Sequence, residues 1–194
     1  HESLIAFSNQ NYYHSNLVIF PSPHASGNEF GIRYHLVKRG RFSRGKNAEE
    51  ARVIAKAALD QLLSRPHESV GLVAMNAEQR NEIEMHVEQL IKEEPGFQAA
   101  VDKNMLADEP LFIKNLENVQ GDERDVIMIS MTYGPDEVGG RVFQRFGPIN
   151  KDVGWRRLNV LFTRSKKRMH VYSSMSSHDI QVSGTSKRGV QSLK

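Results

Sequence analysis

Short, unbroken apolar runs alternate with segments of helical periodicity along this chain, and that alternation constrains its fold more than any other feature. Residues 32–37, 70–75, 111–113, 126–131 and 169–172 read as strands. A continuous run without polar alternation suits a strand covered on both faces, as in a parallel sheet. Residues 2–13 read as a helix. Asn47 followed by Glu50 forms a capping-box-like start, after which Ala51, Ile54, Ala58 and Leu62 recur at helical spacing. Residues 77–94 read as another helix, ended by Pro95 and Gly96. Residues 154–165 form an amphipathic segment with Leu158, Leu161 and Phe162 on one stripe. A Pro-, Ser- and Gly-rich loop is expected over 21–31. Strands alternating with helices predict an α/β domain with a mainly parallel sheet.

At 194 residues the chain suits one domain with a single sizeable core. No run approaches the ~20 apolar residues of a membrane span, so no membrane partner is expected. Cysteine is absent, which rules out disulfides and thiolate metal sites and fits a cytoplasmic location. The chain opens on His1 without a signal-peptide pattern and stops at Lys194 without a helix cap or breaker. A longer parent protein is expected.

The net charge is only +3, but the cations are clustered. Lys38, Arg39, Arg41, Arg44 and Lys46 lie within nine residues free of acids. Arg156, Arg157, Arg164, Lys166, Lys167 and Arg168 do the same over 156–168. Both clusters suit phosphates of nucleotide or nucleic acid, and each also fits a solvated face.

Three stretches carry possible chemistry. Residues 40–47 have the G-x-x-x-x-G-K spacing of a phosphate-binding loop, but Asn47 stands where a Ser or Thr hydroxyl would ligate Mg²⁺. Asn47 is better explained as a helix N-cap, and 40–47 reads as a loop. No apolar run ends in an Asp-Glu pair for Mg²⁺, and no metal site is expected. Residues 115–134 place Gln120, Gly121 and Glu123 just ahead of a buried strand. Gly121 permits a close turn or a close ligand, and Glu123 can accept from sugar hydroxyls; on chemistry alone, a polar turn with solvated charges is the safer reading. In residues 154–174, Arg157 and Arg164 are seven apart, and on one helix they would project from nearly the same face. Guanidinium forks suit phosphate oxygens. Alternatively, Arg164 and the cations after it complement the carbonyl end of a helix.

Taken together these stretches resemble the second RecA-like domain of superfamily 1 helicases, in the branch of the nonsense-mediated-decay RNA helicase and its bacterial relatives. Gln120 to Ser130 is similar to motif V, Arg156 to Arg164 to motif VI, and residues 70–80, with Gln79 and Arg80, to the motif IV region. The opening residues 1–13 resemble the segment after a tyrosine-arginine motif. The resemblance runs over most of 1–175, implying a motor domain there and a C-terminal extension or linker over 176–194. It implies a RecA-like fold and ATP-dependent helicase activity in the parent, with ATP and Mg²⁺ as cofactors. The partners implied are an upstream RecA-like domain and single-stranded DNA or RNA. Arg164 would be the catalytic arginine finger. Gln120, Gly121, Glu123 and Arg157 would meet the nucleotide, and Asn115, Asn118 and Gln79 the nucleic acid. Two departures stand out. Asn115 replaces a common Thr or Ser, and Ala74, Met75 and Asn76 replace Thr-Pro-Tyr. The chain alone, without a phosphate-binding loop, is expected to be inactive. A non-catalytic binding module on a degenerate motor fold is the alternative, and a stand-alone nucleotide enzyme built on 40–47 a distant third.

Overall fold

The computed structural model describes residues 1–23 and 29–194. The middle of the loop expected over 21–31 therefore lies outside the described residues. Five strands, β1 (Gly31–Leu36), β2 (Val70–Ala74), β3 (Phe112–Asn115), β4 (Arg124–Ser130) and β5 (Ser165–Ser173), form one sheet in the order β1-β5-β4-β2-β3. Every pairing in it is parallel. The helices are α1 (Glu2–Tyr12), α2 (Ala48–Ser64), α3 (Ala77–Glu93), α4 (Pro95–Met105), α5 (Gly154–Phe162) and the short α6 (Arg188–Gln191). Helices flanking an all-parallel sheet are the RecA-like α/β architecture.

The unbroken apolar strands are explained by burial on both sides. In β2 and β4, Leu72, Ala74, Val126 and Met128 pack with Ile54, Leu59, Ile83 and Phe97 from α2, α3 and α4. Their neighbours Val73, Ile127 and Ile129 face the opposite way, onto Leu4, Leu158, Leu161 and Phe162 from α1 and α5. Side chains alternate across a strand, so only an all-apolar run feeds two cores. Strand order explains the division of helices. The chain steps outward from β1 to β3 and then back through β4 to β5. With crossovers of one hand, that reversal moves the connections to the other face.

The C-terminal half of the α3 region and the chain end add detail to these expectations. Pro95 and Gly96 end α3, but Pro95 also opens α4, where a missing N–H costs nothing at the first position. Phe97 on α4 is almost completely buried. The segment 176–194, expected as an extension or linker, packs against the α1/α5 side. Ile180 and Val190 join the α1/α5 core, and the Arg188 guanidinium stacks 4.3 Å from the Trp155 ring centroid.

Gly154, the first residue of α5, fixes how that helix enters. A Cβ there would lie 2.4 Å from the Ile149 carbonyl oxygen and 2.7 Å from that of Pro148. Gly154→Ala must push backbone apart, so it is expected to lower stability by about 1–3 kcal/mol. An unchanged midpoint in urea unfolding would refute that close approach.

Candidate functional site

The parallel sheet sorts the candidate residues onto two edges. The turn carrying Gln120, Gly121 and Glu123 precedes β4, and Arg164 precedes β5, so both lie at the amino ends of the strands. The Arg124 N–H donates to the Arg164 carbonyl at 3.1 Å, which ties the two stretches side by side. Gly121 has φ +89 with nothing within 4 Å of a Cβ position. The turn requires its left-handed backbone, and open space lies above it. Lys114 anchors the turn through Asp122 at 2.6 Å. Gln120 and Glu123 are exposed.

The expectation that Arg157 and Arg164 share a helix face does not hold, because α5 stops at Phe162. Arg164 folds back onto the end of its own helix. Its Nε donates to the Val160 carbonyl at 2.9 Å and its Nη2 to Thr163 Oγ1 at 3.1 Å. Cations are favoured at helix C-termini for this reason, where backbone acceptors lack partners. Arg157 points elsewhere. It pairs with Glu117 at 2.7 Å and lines a groove of about 270 Å³ together with Gln120, Arg156 and Val160.

The second basic cluster is neutralised by acids distant in sequence. Lys166 meets Glu109 at 2.6 Å and lies 3.8 Å from Glu123, while Lys167 lies 3.2 Å from Asp125. Arg168 forms a buried pair with Glu68. The Lys166 ammonium holds the Glu109 carboxyl below the usual carboxylate range.

Asn115 and Asn118 occupy the opposite, carboxyl edge. Asn115 ends β3 in register with Ala74, and its Oδ1 accepts the Asn118 N–H at 3.1 Å. Asn118 itself is exposed. Gln79, which the resemblance implied as a nucleic-acid contact, is fully buried with its amide satisfied. Its Oε1 accepts the Asn47 N–H at 2.7 Å. Its Nε2 donates to the Asn47 carbonyl and to Ser130 Oγ, each at 3.0 Å. Asn76 caps α3 by accepting the Gln79 N–H at 2.8 Å. Residues 40–47 form a tight hairpin, with Arg44 and Gly45 at φ 50 and 85 and a bridge between Ser43 and Lys46. Asn47 caps α2, and Lys46 reaches Glu82 at 2.5 Å.

One group escaped the sequence reading as more than a helix cap. Glu50 is fully buried at this edge. Its Oε2 accepts from Ser130 Oγ and the Thr132 N–H, and its Oε1 from Ser174 Oγ, all at 2.7 Å. Burial pushes its carboxyl up to about 7, against these hydrogen bonds, which pull it down. The available signal was position, since Glu50 continues the stripe of Ala51, Ile54 and Ala58.

Among the described residues, no group of three His, Asp or Glu could hold a metal, and no helix is long and apolar enough to cross a membrane. Along the amino edge the exposed Gln120 amide and Glu123 carboxylate flank an open turn beside Arg164.

The family model described as an AAA domain matches residues 1–176. The chain is 33% identical over 196 aligned positions to the "Uncharacterized ATP-dependent helicase MG140" of Mycoplasma genitalium, covering 98% of this chain and 16% of that protein. It is 33% identical over 181 positions to the MG140 homolog of Mycoplasma pneumoniae, covering 91% of this chain and 15% of that protein. The chain thus spans about a sixth of the length of these relatives. With motifs V and VI tied side by side on an all-parallel sheet, and a match over nine-tenths of its length, the chain belongs to this AAA-domain family as a superfamily 1 helicase-like domain.

Proposed function

We propose that this chain is the second motor domain of a larger ATP-dependent helicase and forms one wall of its ATP site. The observation that carries the reading is the groove lined by Gln120 and Arg157, which runs beside α5 and leads along the chain into the Gly121 turn and Glu123. Glu123 would accept from the ribose hydroxyls, and Gln120 and Gly121 would shape the nucleotide loop. Arginine is the cation that answers charge developing on transferring phosphoryl oxygens. Of the two arginines, we assign Arg157 to the phosphates, because reaching them would cost it only its ion pair with Glu117. Arg164 would have to give up two hydrogen bonds at its helix end to reach them.

The upstream RecA-like domain would supply the phosphate-binding loop and the Mg²⁺ ligands. Asn115 and Asn118, at the far end of the sheet, would meet the backbone of single-stranded DNA or RNA. Closing and reopening the cleft around ATP would move the second wall along the strand. The location consistent with this role is cytoplasmic.

The test is ATP hydrolysis by the parent protein and by this chain alone. The parent is expected to turn over ATP with stimulation by single-stranded nucleic acid, and the chain alone to show none. Helicase-like turnover by the isolated chain, or a parent indifferent to nucleic acid, would sink the reading. The second result would favour a non-catalytic binding module.

A further inference from the structure

The sequence carries two acid-free basic clusters, and the arginines of the first stand apart from its Lys46, which pairs with Glu82, and from the paired run that ends the second. Every cation from Lys166 to Arg168 is paired. Among the described residues, Arg39, Arg41 and Arg44 have no ion pair or hydrogen bond, and all three are exposed. They line an open hollow of about 740 Å³ together with Lys46, Glu49 and Asp136. Its acids are partly engaged. Glu49 is held by Arg52 at 2.7 Å, and Asp136 accepts the Glu137 N–H at 3.1 Å.

The hollow is built by the loop after β1, the start of α2 and the chain after β4, so it opens at the carboxyl edge. It adjoins the Asn76 side chain, which donates to the Gly45 carbonyl at 2.8 Å. Two residues earlier, Ala74 stands in register with Asn115. Arg44 also sits at φ 50, a left-handed backbone that Asn or Gly would adopt at lower cost. An arginine held there in a two-residue turn is strain kept at the tip of a loop, where strain often accompanies function.

We infer that Arg39, Arg41 and Arg44 form a phosphate-binding tract that holds the backbone of single-stranded nucleic acid as it passes the carboxyl edge. This rests on the helicase reading above and extends it to residues outside the motifs. Three separate guanidinium groups around an open hollow match successive phosphates better than one compact anion. Among the described residues, Val138 is the only large apolar side chain lining the hollow, and no aromatic ring lines it. Bases have nothing there to stack on, so the tract holds without reading sequence.

The test compares the parent protein with its Arg39→Gln/Arg41→Gln/Arg44→Asn variant. Asn keeps the left-handed turn, and circular dichroism checks the fold. Anisotropy with fluorescein-labelled dT₁₅, rU₁₅ and a mixed-sequence 15-mer is followed across salt. Each phosphate contact in a single strand adds about 0.7 to the slope of log affinity against log salt, so the variant should lose about 2 from that slope. At 0.1 M salt it should bind about 100-fold more weakly, equally for all three strands. Lys166→Gln/Lys167→Gln should stay within about two-fold of the parent's affinity, since those cations already have partners. An unchanged slope in the triple variant, with nucleic-acid-stimulated ATPase intact, overturns the tract and leaves the helicase reading standing. Loss of that stimulation in the unaltered parent removes both. Equal displacement of the oligonucleotide by tripolyphosphate, or by polyglutamate at matched charge, would assign the hollow to a compact anion or an acidic peptide and overturn the proposal.

Discussion

Arg157→Ala in the parent protein is expected to lower ATP turnover by about 10³-fold or more, the range over which arginine fingers act in phosphoryl transfer. The loss should fall on kcat, with KM for ATP changing little, because the cation answers charge that develops only in the transition state. Arg157→Lys should recover only part of the rate, since an ammonium lacks the planar fork that spans two phosphate oxygens. Arg164→Ala has a different expected signature. That side chain bonds Val160 and Thr163 at the end of α5. Its loss should cost about 1 kcal/mol of stability. We expect it to slow turnover by about ten-fold through a loosened helix end, since a small misplacement of catalytic groups is already costly. Glu117→Gln is the control, because it frees Arg157 from its 2.7 Å partner and should leave turnover intact or raise it. Near-normal activity in Arg157→Ala with collapse in Arg164→Ala would return the finger role to Arg164. The readout is steady-state ATPase at saturating single-stranded nucleic acid, with urea unfolding to separate stability from chemistry.

The assignment of roles to those arginines shows where sequence reasoning reaches its limit. Strand positions were legible because burial on both faces leaves an unbroken apolar run, as in Val70–Ala74. The cap of α2 was legible, because Asn47 acts on a residue three positions away, whereas the same local signal at Asn76 went unread. Placing Arg164 on the face of Arg157 assumed a helix two residues longer than the one that forms. The chain leaves α5 to pair β5 with β4, a choice made by residues about forty positions upstream. Charge was misread for a similar reason. Lys166, Lys167 and Arg168 look free in sequence, yet Glu109, Asp125 and Glu68 come to them only through the sheet. The resemblance implied Gln79 as a nucleic-acid contact, and only the fold shows it turned inward onto Asn47 and Ser130. Interactions local in sequence could be read directly. Those that depend on which strands become neighbours could not.

Glu50 is the extreme case, and its removal has the largest expected effect on stability. Glu50→Ala leaves the buried Thr132 N–H and Ser130 hydroxyl, and the half-buried Ser174 hydroxyl, without their shared acceptor. Orphaning buried donors costs about 1–3 kcal/mol for each that finds no new partner, so a loss of about 3–5 kcal/mol is expected. That is a large part of the stability of a domain of this size. Glu50→Gln keeps the volume and the acceptor toward Ser130 and Thr132, and its amide can donate to Ser174, so it should cost much less. The pH dependence separates the carboxyl's charge from its shape. Its folded value is pushed up to about 7 from an ordinary 4.5, so between those values the folded chain holds the proton more tightly than the unfolded one. Stability contributed by the neutral carboxyl is therefore complete below pH 4.5 and is lost as pH rises through 7. The size of that loss is on the order of 3 kcal/mol. Glu50→Gln has no proton to release, so its advantage over the natural residue should grow from pH 5 to pH 8. Urea unfolding of both proteins across that range measures the difference. Parallel stability curves would mean that Glu50 is already ionised in the folded chain at pH 5, with its three donors outweighing the cost of burial.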